Sequence, residues 1–237
     1  VAVDVSNDII KFFTTGTVTN PVNMPSIPKE KLAEVEPFFA LTEKLGKFLI
    51  QVTEGAVKEL NISYAGEVAN YDVRPLTANA IKGLLSTNHG THVNDVNARY
   101  LAERIGMKIN EHKTTTAKGF TNLVTVEVKT EKETHSVAGT LLNGLGARIV
   151  KVEGFVVDVK PDGNFLFIKN QDKPGSIGRV ATKLAESQIN IATMQVGRDE
   201  VGGSAVMMLG IDNEVTPGDL VLVGQLENID EVKAIKL

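Results

Sequence analysis

Cysteine is missing from these 237 residues, and that removes three chemistries at once. Disulfides, thiolate metal sites and a cysteine nucleophile are excluded, and the pattern fits a reducing cytoplasm. Histidine is scarce: of four, only His89 and His92 stand close together. Their spacing in STNHGTHVND suggests metal ligands, but no third ligand follows from it. A solvated loop between helices is the favoured reading, so no metal is expected. No apolar run approaches ~18 residues. No signal-peptide pattern opens the chain either, so the expectation is a cytoplasmic protein without a membrane span. Neither sign of charge dominates: 25 Lys and Arg stand against 29 Asp and Glu, a formal net charge of −4. That balance gives no reason to expect nucleic acid or an anionic membrane as partner.

Catalytic signatures are absent too. There is no Gly-x-Ser-x-Gly elbow and no P-loop. Gly144-Leu-Gly146 begins like a dinucleotide fingerprint, yet Ile149 holds the third glycine position and no strand–helix context surrounds it. It reads as a turn between strands. No catalytic residue and no cofactor are therefore expected in this chain. The first residue is Val1 rather than Met, which suggests a fragment.

What is present is an ordinary globular balance, 42% hydrophobic and 23% charged, with length for one large domain or two modest ones. Val1 to Thr15 carries apolar residues on one helical face, an amphipathic helix in need of a partner surface. Gly16 closes it, and a segment punctuated by Pro21, Pro25 and Pro28 reads as linker and hinge. The helix belongs either to something upstream or to the next domain. From Pro28 a long helix runs to Val52, interrupted by or continuing past Pro37. A strand over Val57 to Val68 follows, then helices over Arg74–Ser86 and Asn97–Arg104, with Asn97 as N-cap. Strand-like runs cover 107–111, 123–129, 134–142 and 147–159, the last broken at Gly154. Residues 27–160 thus read as an α+β domain, and Pro161-Asp162-Gly163 marks its end.

The rest, 161–237, centres on NFLFIKNQDKPGSIGRVATKLAESQINIATMQ. This is a strand at Phe165–Ile168, a turn at Asp172-Lys-Pro-Gly175, a helix through Ile177, Val180 and Leu184, and a strand opening at Ile189. With a strand at 204–211, a helix at 217–226 and a strand at 232–237, the order is βαββαβ, a ferredoxin-like antiparallel sheet with two helices on one face. One sheet face and edge would stay open, so pairing with a second copy is expected. The bend puts helix amides beside Asn170, Asp172 and Asn190. The amides suit a carboxylate and the Asn and Asp side chains an ammonium, so the expected ligand is a small zwitterion. Turn formation alone would also explain these residue types. Four charge-assisted hydrogen bonds give roughly 6–12 kcal/mol gross. Association costs leave millimolar to micromolar affinity, suited to sensing a metabolite pool. Arg148 and Lys160 flank the last strand run of the middle domain and either converge on an anion or lie in water.

The stretch NQDKPGSIGRVATKLAESQINIATMQVGR resembles the ACT domain, the amino-acid-sensing module of metabolic enzymes. NPVNMPSIP, then VNARYLAERIG and VAGTLLNGLGARIVKVEGF, then ACT, is similar to the C-terminal half of the long-form D-3-phosphoglycerate dehydrogenases. The resemblance covers essentially the whole chain, with 1–26 as helix and linker from the upstream catalytic part. It implies an NAD-dependent enzyme oxidising 3-phosphoglycerate at the first step of L-serine synthesis. It also implies feedback by L-serine bound between two ACT domains of a homodimer or tetramer. The matching positions are Asn170, Asp172, Pro174 and Gly175 on the turn and Asn190 at the strand start; Asn170 stands where a His or Tyr is often found. The middle domain resembles an allosteric substrate-binding domain, whose basic positions match Arg148 and Lys160 and would hold a phosphate-type anion. In that family the catalytic and NAD-binding residues lie upstream of the stretch matched here. The β chain of an iron–sulfur L-serine dehydratase and a free-standing ACT regulator are the alternatives.

Overall fold

The computed structural model describes residues 2–15, 29–89 and 92–237. The proline-punctuated hinge, with the Gly16 stop, lies outside the described residues. Helix α1 (Ala2–Thr15) forms as its periodicity predicts, and Val3, Val5, Ile9, Ile10 and Phe13 on it are exposed.

Helix α2 (Lys29–Val52) continues through Pro37. Val35, Phe38, Leu41, Leu45, Phe48, Leu49 and Val52 recur every three or four residues, forming one buried stripe. Helix α3 (Arg74–His89) packs on α2 at a point where both lack a side chain. A Cβ on Gly46 would lie 2.0 Å from the Ala80 carbonyl oxygen, and one on Gly83 2.0 Å from that of Glu43. The glycines let the two backbones touch. Strand β1 (Glu59–Gly66) follows α2, and a short helix α4 (Ala98–Arg104) follows α3. Asn97 precedes α4 but makes no capping bond; its side chain instead accepts from Asn94 N at 2.8 Å and donates to His92 O at 2.8 Å. It ties the loop rather than the helix.

Strands β2 (Lys108–Thr114), β3 (Asn122–Lys129), β4 (Thr134–Leu142), β5 (Gly146–Val152) and β6 (Phe155–Val159) complete a sheet of order β2-β1-β3-β4-β5-β6. Only β1 and β2 run parallel. Helix α2 covers one face, met by Leu60, Ile62, Val124, Val126 and Val128. Alternate residues, Glu59, Asn61, Lys108, Asn110, Glu127 and Lys129 among them, make the other face polar. Gly144 and Gly146 sit at φ +76° and +72° in the β4–β5 turn, as the turn reading expects.

The second sheet, of order β10-β7-β9-β8, joins β7 (Asn164–Gln171), β8 (Ile191–Arg198), β9 (Ser204–Ile211) and β10 (Ile229–Lys236). With α5 (Ser176–Glu186) and α6 (Pro217–Gly224) the order is βαββαβ, so the chain is α+β with a ferredoxin-like second unit. Leu166, Ile168, Met207 and Leu209 meet Val180, Leu184 and Val223 of the two helices. The opposite face does not stay open, contrary to the sequence expectation. Phe165, Phe167, Val206, Met208 and Ile235 run into the core of the first sheet, where Phe48 of α2 meets Phe167 edge-to-face at 6.0 Å. The Gln51 side chain clasps the backbone of β10, accepting from Lys236 N at 2.9 Å and donating to Lys236 O at 3.2 Å. A strand apolar at four successive positions, Phe165 to Ile168, needs cover on both faces, and α2 supplies the second.

Candidate effector site at the bend after β7

Strand β7 ends at Gln171, and the next four residues turn the chain into α5. Gly175 takes φ +86°, a left-handed conformation that a side chain would strain, and it precedes α5 with no side chain to cap it. Pro174 and Gly175 are exposed. Asp172 is tied into the turn: its N donates to Gly203 O at 2.8 Å. Its Oδ2 accepts from Arg198 Nη1 at 2.5 Å and from Gly202 N at 3.2 Å. The Arg198 guanidinium foremost, then the Gly202 amide, hold the Asp172 carboxyl below its ordinary range. This carboxylate braces the β8–β9 hairpin and is not a bare ammonium acceptor.

Asn170 is 2% exposed. Its Nδ2 donates to Gln171 O at 2.8 Å, while its Oδ1 is buried without a partner. Ser176, also buried, directs its Oγ to the same Gln171 carbonyl at 3.4 Å. Both side chains therefore gather at the foot of α5. Arg179, one turn into that helix, folds back over Gly175. Its Nη2 makes only long bonds, 3.5 Å each, to Ser176 Oγ and Glu227 O, and its Nε is buried with no acceptor. Ser176, Arg179 and Arg198 escaped the sequence reading. The signal for Arg179 was a basic residue in the first turn of a helix, at the end whose dipole repels cations.

Asn190 is not brought to this bend. Asn170 lies opposite Ala205 of β9, whereas Ile191, the neighbour of Asn190, lies opposite Ile211. The two asparagines thus sit at opposite ends of the sheet, roughly 20 Å apart at about 3.3 Å per residue. Asn190 is exposed and donates to Asp212 Oδ2 at 2.7 Å. The expected convergence within one chain fails because α5 carries the chain the length of the sheet before β8 begins.

Arg148 lies on β5, and Lys160 follows directly after the end of β6. The pair next to them in the register is Ile149 with Val159. Each has an acid beside it: Asp158 Oδ1 lies 3.2 Å from Arg148 Nε, and Asp162 Oδ2 3.5 Å from Lys160 Nζ. Arg148 Nε is buried and out of line for a hydrogen bond with that carboxylate. His92 is exposed, and the side chain of His89 lies outside the described residues. No group of three metal-type ligands occurs among the described residues, nor does any helix there have the length and apolarity to cross a membrane.

Two families match the sequence. One, described as "D-3-phosphoglycerate dehydrogenase intervening domain", covers residues 34–153, and the other, "ACT domain", covers residues 164–230. Among curated relatives, a D-3-phosphoglycerate dehydrogenase of Bacillus subtilis is 33% identical over 100% of this chain and 45% of its own length. That of Methanocaldococcus jannaschii is 35% identical over 98% of this chain and 44% of its own. One from Synechocystis is 32% identical over 100% of this chain and 43% of its own. The chain spans less than half the length of these relatives.

Proposed function

Since this chain belongs to the family of D-3-phosphoglycerate dehydrogenase intervening domains and carries an ACT domain behind that unit, we propose that it is the regulatory portion of such a dehydrogenase, with L-serine as effector. The reaction it governs is the NAD-dependent oxidation of 3-phosphoglycerate, performed outside this chain, which binds and reports and supplies no catalytic residue. The setting is cytoplasmic.

The observation that carries the reading is Asn170 Oδ1, a buried acceptor with no donor at the foot of a helix. Leaving such an atom unsatisfied costs about 1–3 kcal/mol, a penalty that an ammonium group arriving there removes. Asn190, at the far end of its own sheet, reaches the same ligand only from a second copy. The site is therefore completed in a homodimer, or in a tetramer built from such dimers, with two equivalent pockets at one isologous seam. Serine bridging two copies fixes one arrangement of the ACT domains, and it shifts the enzyme insofar as it binds that arrangement better than the alternative. At the other station, a phosphate-type anion between Arg148 and Lys160 displaces Asp158 and Asp162, substituting one shared anion for two separate ion pairs.

Calorimetric titration of L-serine into the chain tests the main claim. Binding in the micromolar to millimolar range is expected, weakened about tenfold or more by Asn190→Ala. An Asn190→Ala affinity within about twofold of the original would remove Asn190 from the site.

A further inference from the structure

The foot of α5 holds more positive character than its fold requires. The helix spans Ser176–Glu186 with no acidic residue in its first turn and no side-chain cap. The unbonded amides of that turn carry the positive end of the helix dipole. Onto the same end the chain folds a guanidinium: Arg179 Nη1 lies 2.8 Å from where a Cβ on Gly175 would be. A cation there is repelled by the dipole rather than stabilised by it. Its compensation is slight, since the nearest carboxylate, Glu227, is 3.9 Å away and largely exposed. Of the five N–H donors an arginine carries, Nε is buried and unused and Nη2 makes only the two long bonds. Beside it, on the Gln171 carbonyl to which the Ser176 hydroxyl also donates, sits Asn170 with its unpartnered buried oxygen. One small region thus offers a spare acceptor and an underused cationic fork.

We infer that Arg179 anchors the carboxylate of the effector, while Asn170 Oδ1 takes its ammonium, so that the pocket selects free α-amino acids over analogues with a blocked carboxyl. This rests on the effector reading above and adds a residue to it. A planar guanidinium meets a carboxylate through two parallel hydrogen bonds, and an anion held there also satisfies the helix amides. Gly178, in the same turn, has open space where a side chain would stand, leaving room for the ligand.

The test compares L-serine with L-serinamide by calorimetry on the full chain, its Arg179→Ala variant and its Arg179→Lys variant, with circular dichroism as the check of folding. The original chain is expected to prefer serine. Arg179→Ala weakens serine about tenfold to a hundredfold and leaves serinamide nearly unchanged, so the preference collapses. Arg179→Lys keeps the charge but loses the fork, and it retains part of the preference. A folded Arg179→Ala variant that still prefers serine as strongly as the original overturns the assignment of Arg179 alone. So does an original chain that binds the two ligands equally, whatever the variants do. An original chain that binds neither overturns the effector reading and this inference together.

Discussion

The junction between the two sheets and the bend after β7 are built on opposite principles. At the junction apolar side chains pack together: Phe48, Phe165, Phe167, Met208 and Ile235 belong to one buried cluster. A charged rim closes over them. His135 Nδ1 stands 3.2 Å from Glu153 Oε1, Lys169 lies 3.6 Å from Glu153 Oε2 and 3.1 Å from Glu231, and Lys233 pairs with Glu54. At the bend Asn170 Oδ1 and Arg179 Nε are buried with nothing to bond, whereas His135 Nε2, the unbonded atom of the junction rim, at least has the Glu133 carboxylate 3.3 Å away. On the proposed reading, the bend is finished by another molecule and the junction is the mount that holds it.

The comparison breaks most visibly at Phe48. Replacing it with Ala empties the contact with Phe167 and is expected to cost about 3–5 kcal/mol in urea-induced unfolding. A loss under about 1 kcal/mol would mean that the junction relaxes and is no rigid mount. Next comes His135, 2% exposed, whose Nε2 also lies 3.3 Å from Glu133 Oε1. His135→Gln removes the imidazolium facing those carboxylates and costs about 1–3 kcal/mol at acid-side neutrality. Its pH dependence has a definite sign. The hydrogen bond to Glu153, foremost, raises the His135 pKa above its ordinary 6.5. The contribution is therefore fully present below that value and is lost as pH rises through the raised, folded-state value. Stability measured across that window should fall for the original chain, and His135→Gln should remove this part of the fall.

At the bend, Gly175→Ala forces a side chain into left-handed backbone at φ +86° and against Arg179. About 1–2 kcal/mol of stability should be lost, with serine affinity falling as Arg179 is displaced. If thermal unfolding shows no change, the turn is pliant and the pocket is not preformed. Thr216→Ala touches neither region. It removes a capping box in which Thr216 Oγ1 accepts from Asp219 N at 3.2 Å, costing about 1 kcal/mol with serine binding unaltered.

The order βαββαβ is legible because short apolar runs and helical spacing alternate after Gly163. Residues 172 to 175 are legible as a bend because Pro174 and Gly175 permit little else. The cover on the second sheet was written in Phe165-Leu-Phe-Ile168, apolar on both faces, but an apolar run does not say which distant helix lies over it. Asn190 misled through closeness in sequence, since a helix that runs the length of the sheet carries it to the far end. Ser176 and Arg179 went unseen because a search for apolar spacing attends to Ile177 and Val180 and passes over the residues between. Arg148 and Lys160 are legible as charges, but that Asp158 lies beside Arg148 shows only in the pairing of β5 with β6.

Mixing two defective chains tests the central claim, a serine pocket shared between copies, most directly. Asn170→Ala and Asn190→Ala should each lose serine binding when alone. After mixing in equal amounts and re-equilibration, half the dimers are hybrids with one intact pocket, so calorimetry should recover about a quarter of the original sites at the original affinity. A mixture that stays as inactive as its components, although native mass spectrometry finds the hybrids, would contradict the shared pocket.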